Sequence, residues 1–66
     1  MSYSVIVCNG AAEYINETFS DLEEAMKRFN DVKKKFPFSE NDDLWLMENF
    51  DSGIQVSITG YSLGDE

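Results

Sequence analysis

Apolar residues along this chain follow two rhythms, and the changes between them mark out its elements. Tyr3-Ser4-Val5-Ile6-Val7-Cys8 is compact and β-branched, which predicts a first strand. Asn9-Gly10 follows, a dipeptide that tolerates the positive φ angles of a two-residue type I′ turn. Ala11 to Thr18 then returns as a second strand, supported by Tyr14 and Ile15. Ala11, Ala12 and Glu13 are poor strand formers, and a short irregular helix is the alternative there. Beyond Ser20 the rhythm changes. Leu22, Ala25, Met26, Phe29 and Val32 recur in steps of three and four, the spacing that places them on one face of a helix.

The ends of that helix are written locally. Ser20 is placed to cap it, and Glu23, three residues on, completes a capping box. Glu23–Lys27, Glu24–Arg28 and Asp31–Lys35 are spaced i to i+4 with the acid first, the favoured order. Acids crowd the first turn and lysines the last, in keeping with the helix dipole. Pro37 ends the element, because the residue before a proline is pushed out of helical space. The expected helix runs from Asp21 to Lys35. After a polar, acidic connector from Phe38, the stretch Asp43 to Phe50 reads as a third strand and Ile54 to Tyr61 as a fourth. Asp51-Ser52-Gly53 between them is a turn of hairpin length. In the fourth strand Ile54, Val56 and Ile58 alternate with Gln55, Ser57 and Thr59, which predicts one buried face. Gly64-Asp65-Glu66 is expected to form a frayed tail. The sum is a single small α+β domain over residues 1–66, ββαββ in order, with an antiparallel sheet and one helix packed on one face.

One helix covers one face of such a sheet, yet two strands are apolar on both sides. In the third, Leu44 and Leu46 oppose Trp45 and Met47; in the first, Tyr3, Val5 and Val7 oppose Ile6 and Cys8. An apolar patch built on Trp45, Met47 and Ile6 is therefore expected on the uncovered face, and a contiguous patch of that kind marks an interaction site. A homodimer interface and a partner-binding face are both open at this point.

Size and charge sharpen the picture. A chain of 66 residues buries a thin core, and small scaffolds usually need a disulfide, a metal or a second copy of themselves. Cys8 is the single cysteine and there is no histidine, so an intrachain disulfide and a Cys/His zinc site are both excluded. The formal net charge is −8. All five bases (Lys27, Arg28, Lys33, Lys34, Lys35) fall in one short window beside a single acid, Asp31, and every other acid lies where there is no base. Such a balance repels nucleic acid and anionic membrane surfaces. No apolar run approaches a membrane span or a signal-peptide core, and the lone thiol suits a reducing compartment, so a cytoplasmic setting is expected.

Residue types then bear on catalysis. Without histidine there is no Ser-His-Asp or Cys-His arrangement. Cys8 sits in an apolar strand with no base to activate it, which predicts a packed, inert thiol. Glu40-Asn41-Asp42-Asp43 is dense in oxygen but lacks the ligand frame and central glycine of a calcium loop. No glycine-rich phosphate loop is present. A non-enzyme without cofactor or metal is expected. Glu13 and Glu17, four apart on a strand, are expected to share a face about 13 Å apart at roughly 3.3 Å per residue.

In size, acidity and one-helix sheet layout the chain resembles small phage-encoded inhibitors of the anti-CRISPR and DNA-mimic kind. The resemblance rests on Glu13, Glu17, Asp21, Glu23, Glu24, Glu40, Asp42, Asp43, Glu48 and Asp51, and on no shared motif. It implies a stoichiometric inhibitor that occupies a basic, nucleic-acid-binding surface of a host enzyme. Glu13, Glu17, Glu40, Asp42, Asp43, Glu48 and Asp51 are the expected partner contacts. The alternative is a homodimeric structural or antitoxin-like binding protein that uses its apolar sheet face.

Overall fold

Five elements form in the expected order: β1 (Ser2–Asn9), β2 (Ala12–Phe19), α1 (Leu22–Lys35), β3 (Asp43–Asn49) and β4 (Gln55–Ser62). The computed structural model describes residues 1–63, so the expected tail at Gly64-Asp65-Glu66 lies outside the described residues. All pairings are antiparallel, and the strands lie in the order β2-β1-β3-β4 in one open sheet. The two strands that are apolar on both sides, β1 and β3, take the centre. The helix connects the β2 edge to β3 across β1 and packs on one face, giving a small α+β domain.

The core follows from the pairing. Val5 lies opposite Leu46 and Val7 opposite Leu44, and all four are fully buried beneath Ala25, Phe29 and Val32 of α1. Burial of side chains this size stabilises by roughly 1.5–3 kcal/mol each. Tyr14, Phe36, Phe38 and Tyr61 form an aromatic arc, each ring within 6.1 Å of the next, that closes one end of this core.

Local chemistry departs from expectation in two places. Asp21, not Ser20, caps the helix, its carboxylate accepting from the Glu23 amide at 3.1 Å. Asp21 is the residue in extended conformation whose carbonyl accepts the first helical bond, from the Ala25 amide, so the capping position falls one residue later. The first hairpin turns on Gly10-Ala11, with Asn9 still paired to Ala12. Gly10 has φ +59°, and among the described residues none other than glycine has positive φ, which suits a type II′ turn rather than type I′. The second hairpin is as expected: Asp51–Gly53 forms a three-residue loop closed by Gly53, at φ +92°, where the amide donates to the Phe50 carbonyl at 2.9 Å.

Two β-bulges alter which residues share a face. The register slips between Val7 and Cys8, leaving Tyr14 as the extra residue of β2, and between Leu46 and Met47, leaving Ile58 as the extra residue of β4. An inserted residue reverses the alternation beyond it. Glu13 and Glu17 consequently lie on opposite faces, contrary to the simple spacing argument. The predicted buried face of β4 is not buried either: Ile54, Val56 and Ile58 are 60%, 48% and 44% exposed. The helix packs on β1, β3 and β2 and leaves β4 projecting beyond it.

Candidate functional site

The face away from the helix is open, and its centre is apolar. Ile6 pairs with Trp45, and Met47 lies two residues further along β3 on the same side. These three, with Gln55 and Ser57 of β4, line a shallow depression. Trp45 is 39% exposed, its ring laid on Gly60, the residue opposite it in β4. A side chain on Gly60 would meet that ring at 2.6 Å, so the glycine provides the space that lets the indole lie flat on the sheet. The sequence grouped Trp45, Met47 and Ile6, and the fold brings them together.

A polar surround encloses this centre. Asn49 donates to the hydroxyls of Ser2 and Ser4 at 3.0 and 2.9 Å and accepts from Gln55 at 2.7 Å, which ties β1, β3 and β4 together at one end of the face. Ser4 also approaches Thr18 of β2, the two oxygens 3.5 Å apart. None of these residues stood out in the sequence. Their signal was weak: short polar residues in strand positions that the apolar pattern left over.

The acidic residues divide into distinct groups. Glu13 and Asp43 flank Cys8 from β2 and β3, both opposite it in the register, at the other end of the open face. Glu40 is exposed on the neighbouring connector. Asp42 is buried; it accepts from the Ser39 amide at 2.8 Å, the Ser39 hydroxyl at 3.0 Å and the Asn9 amide group at 2.8 Å, and so pins the connector to the end of β1. Glu17 faces the helix side and forms a two-pronged pair with Arg28 at 2.6 and 3.3 Å, while Arg28 also reaches Asp31. Glu48 lies on the helix face beside Val56, and Asp51 holds the N-terminal ammonium at 3.0 Å. Of the seven expected contacts, Glu13, Glu40, Asp42, Asp43 and Glu48 are unpaired with any base among the described residues; Glu13 and Asp43 lie together at one end of the open face, and Glu40 is exposed on the connector that Asp42 pins to that end of β1.

The electrostatics of this end agree with the geometry. The Cys8 thiol is pushed above its ordinary range, first by burial and then by the charges of Asp43, Glu13 and Asp42. A thiol held protonated in this way is a poor nucleophile. Among the described residues no three His, Cys, Asp or Glu side chains converge as a metal site, and no helix is long and apolar enough to cross a membrane.

Asp42 provides a direct pH test of the connector. Hydrogen bonds from the Ser39 amide, Asn9 and the Ser39 hydroxyl hold its carboxyl below the usual range, against the opposing effect of burial. A depressed folded pKa stabilises fully above the unfolded value of about 3.9, and that contribution disappears as pH falls through the folded value. Thermal melts of the parent and Asp42→Ala should therefore differ by a constant Tm gap above about pH 5, a gap that closes on further acidification. A gap that widened in acid would mean Asp42 is not held by these donors.

Comparison with known protein families, with curated proteins and with solved structures found no match to this chain.

Proposed function

We propose that the domain is a non-catalytic binding protein whose open sheet face docks on a basic surface of a protein partner in the cytoplasm. The carrying observation is the separation of charge across the sheet. All five bases lie on α1, on one side, whereas the opposite face combines an apolar centre with Glu13 and Asp43 at its end and has no base at all. A half-exposed tryptophan inside a polar surround has the make-up of an interface core and rim. The unpaired carboxylates add long-range attraction toward a cationic partner and fix the orientation of approach. The nucleic-acid site of an enzyme is the kind of basic surface that fits, and occupying it would make the domain an inhibitor, the role implied by the likeness to small acidic phage proteins.

The test is capture of partners from a cell extract at low salt, followed by titration of the purified partner against rising salt. Binding should weaken steeply with ionic strength. Triple reversal of Glu13, Glu40 and Asp43 to Lys should weaken it further, and the partner's own nucleic-acid binding should be competed by the parent domain. Partners indifferent to both salt and charge reversal would overturn the proposal. Homodimerisation through the same face is the second reading, favoured by the apolar Ile6–Trp45–Met47 centre. It predicts that Trp45→Asp alone abolishes self-association.

A further inference from the structure

The two edges of the sheet are built differently. β2 carries Glu13 and Glu17, and charged side chains on an edge discourage another strand from pairing there. β4 carries none: from Ser52 to Gly64 the chain has no charged residue and no proline. Its eight residues, Gln55–Ser62, pair with β3 on one side only, so a row of backbone donors and acceptors is left open on the other. The bulge at Ile58 twists the strand locally but brings neither charge nor proline to it. A long, neutral, β-branched edge of this kind is a template for strand addition.

Beside that edge lies a strip of half-exposed apolar side chains bordered by Lys33 and Glu48. The Lys33 ammonium sits 5.0 Å from the Tyr61 ring centre, which identifies the flank of α1 that faces β4. Leu22 and Met26 occupy the same flank, four and seven residues apart in turn from each other and from Lys33, and are 39% and 37% exposed. Val56 lies on this side of β4, opposite Glu48, and is 48% exposed. These side chains therefore line the step between α1 and β4, and β4 is the edge of the sheet with no strand beyond it among the described residues.

We infer that β4 is a self-association edge, which pairs antiparallel with the β4 of a second copy. Charge selects this occupant. Two copies of net charge −8 repel each other over most of their surfaces, and a strand without carboxylates lets their backbones approach without acid facing acid. A strongly basic partner would gain nothing from a neutral strand. Geometry agrees: antiparallel edge pairing about a two-fold axis normal to the sheet joins the sheets into eight strands with both helices on one face. With α1 over β1 and β3 and about 4.8 Å per strand, the two helices would stand roughly 20 Å apart on either side of a trough floored by the paired β4 strands, into which Val56, Met26 and Leu22 of each copy face. This interface is distinct from the Ile6–Trp45–Met47 face and leaves that face open for a partner.

Sedimentation velocity from low-micromolar to millimolar concentration, at low and high salt, is the test. The mass should rise from the 7.5 kDa monomer toward twice that value, and high salt should strengthen the dimer by screening like charges. That sign is opposite to the one expected for docking on a basic partner, so the two interactions succeed or fail separately. Val56→Lys and Thr59→Lys, both exposed positions on the helix side of β4, should each weaken association by about tenfold or more while the circular dichroism spectrum and melt stay close to the parent's. Because each lowers the net negative charge, the loss would not stem from added repulsion. A monomer at every concentration and salt overturns the inference. So does a dimer that dissolves in salt, which would be a basic helix on an acidic face, or one abolished by Trp45→Asp but indifferent to Val56→Lys.

Discussion

Leu46→Ala is expected to remove about half or more of the domain's stability. Leu46 is fully buried, lies opposite Val5 on one neighbour and Thr59 on the other, and sits under α1 in a cluster of seven buried residues. Truncating a buried leucine costs about 2–5 kcal/mol, because the removed methyls lose their contacts and the cavity only partly collapses. A chain of 66 residues has in total roughly 3–10 kcal/mol at the usual stability per residue. At the middle of the two ranges, one truncation removes about half of the total. Urea unfolding followed by far-ultraviolet circular dichroism should show a midpoint reduced by half or more, or no folded baseline. Leu46→Met conserves volume and should cost less than about 1.5 kcal/mol. An alanine variant with a midpoint close to the parent's would mean the core does not centre on this residue.

That thin core also explains which parts of the fold could be read from sequence. The helix was legible almost to the residue, since periodicity, capping chemistry and Pro37 are all local signals within one stretch of chain. The strands were legible for the same reason, including the doubtful second one: Ala11, Ala12 and Glu13 are weak formers, but the turn at Gly10 returns the chain onto β1 regardless of propensity. The order β2-β1-β3-β4 is a matter of long-range pairing, on which no local window reports. The bulges are harder still. A single extra residue at Tyr14 or Ile58 leaves no mark in composition, yet the first decides that Glu13 and Glu17 face opposite ways and the second takes Ile58 out of step with Val56, while the exposure of Ile54 and Val56 follows from the edge position of β4.

The candidate site divides along the same line. Ile6, Trp45 and Met47 could be grouped in advance because a strand that is apolar on both sides must leave one side uncovered, whatever its register. The carboxylates could not be sorted. Asp42 is buried because Asn9, thirty-three residues earlier in sequence, reaches it. Glu17 is neutralised because β2 places it beneath Arg28. What charge counting supplied was the segregation itself, with bases confined to α1, and that feature survives folding intact.

Trp45→Ala should weaken binding to the basic partner we propose by about thirtyfold or more, since a tryptophan at the centre of an interface typically contributes at least about 2 kcal/mol. Its effect on folding should be smaller: the ring is already 39% exposed and packs on Gly60 and the sheet surface, so losing it removes only part of a buried side chain's worth, about 1–2 kcal/mol. Gly60→Ala separates position from presence. A Cβ there would lie 2.6 and 2.7 Å from two ring carbons of Trp45, forcing the indole off the sheet while leaving it in the molecule. Its binding loss should fall between those of the parent and Trp45→Ala, accompanied by a shift in tryptophan emission, the chain's single such fluorophore. If the emission shifts while both variants bind like the parent, the ring moves without consequence. Docking would then rest on the carboxylates at Glu13, Glu40 and Asp43 alone, and the apolar centre would belong to some other contact.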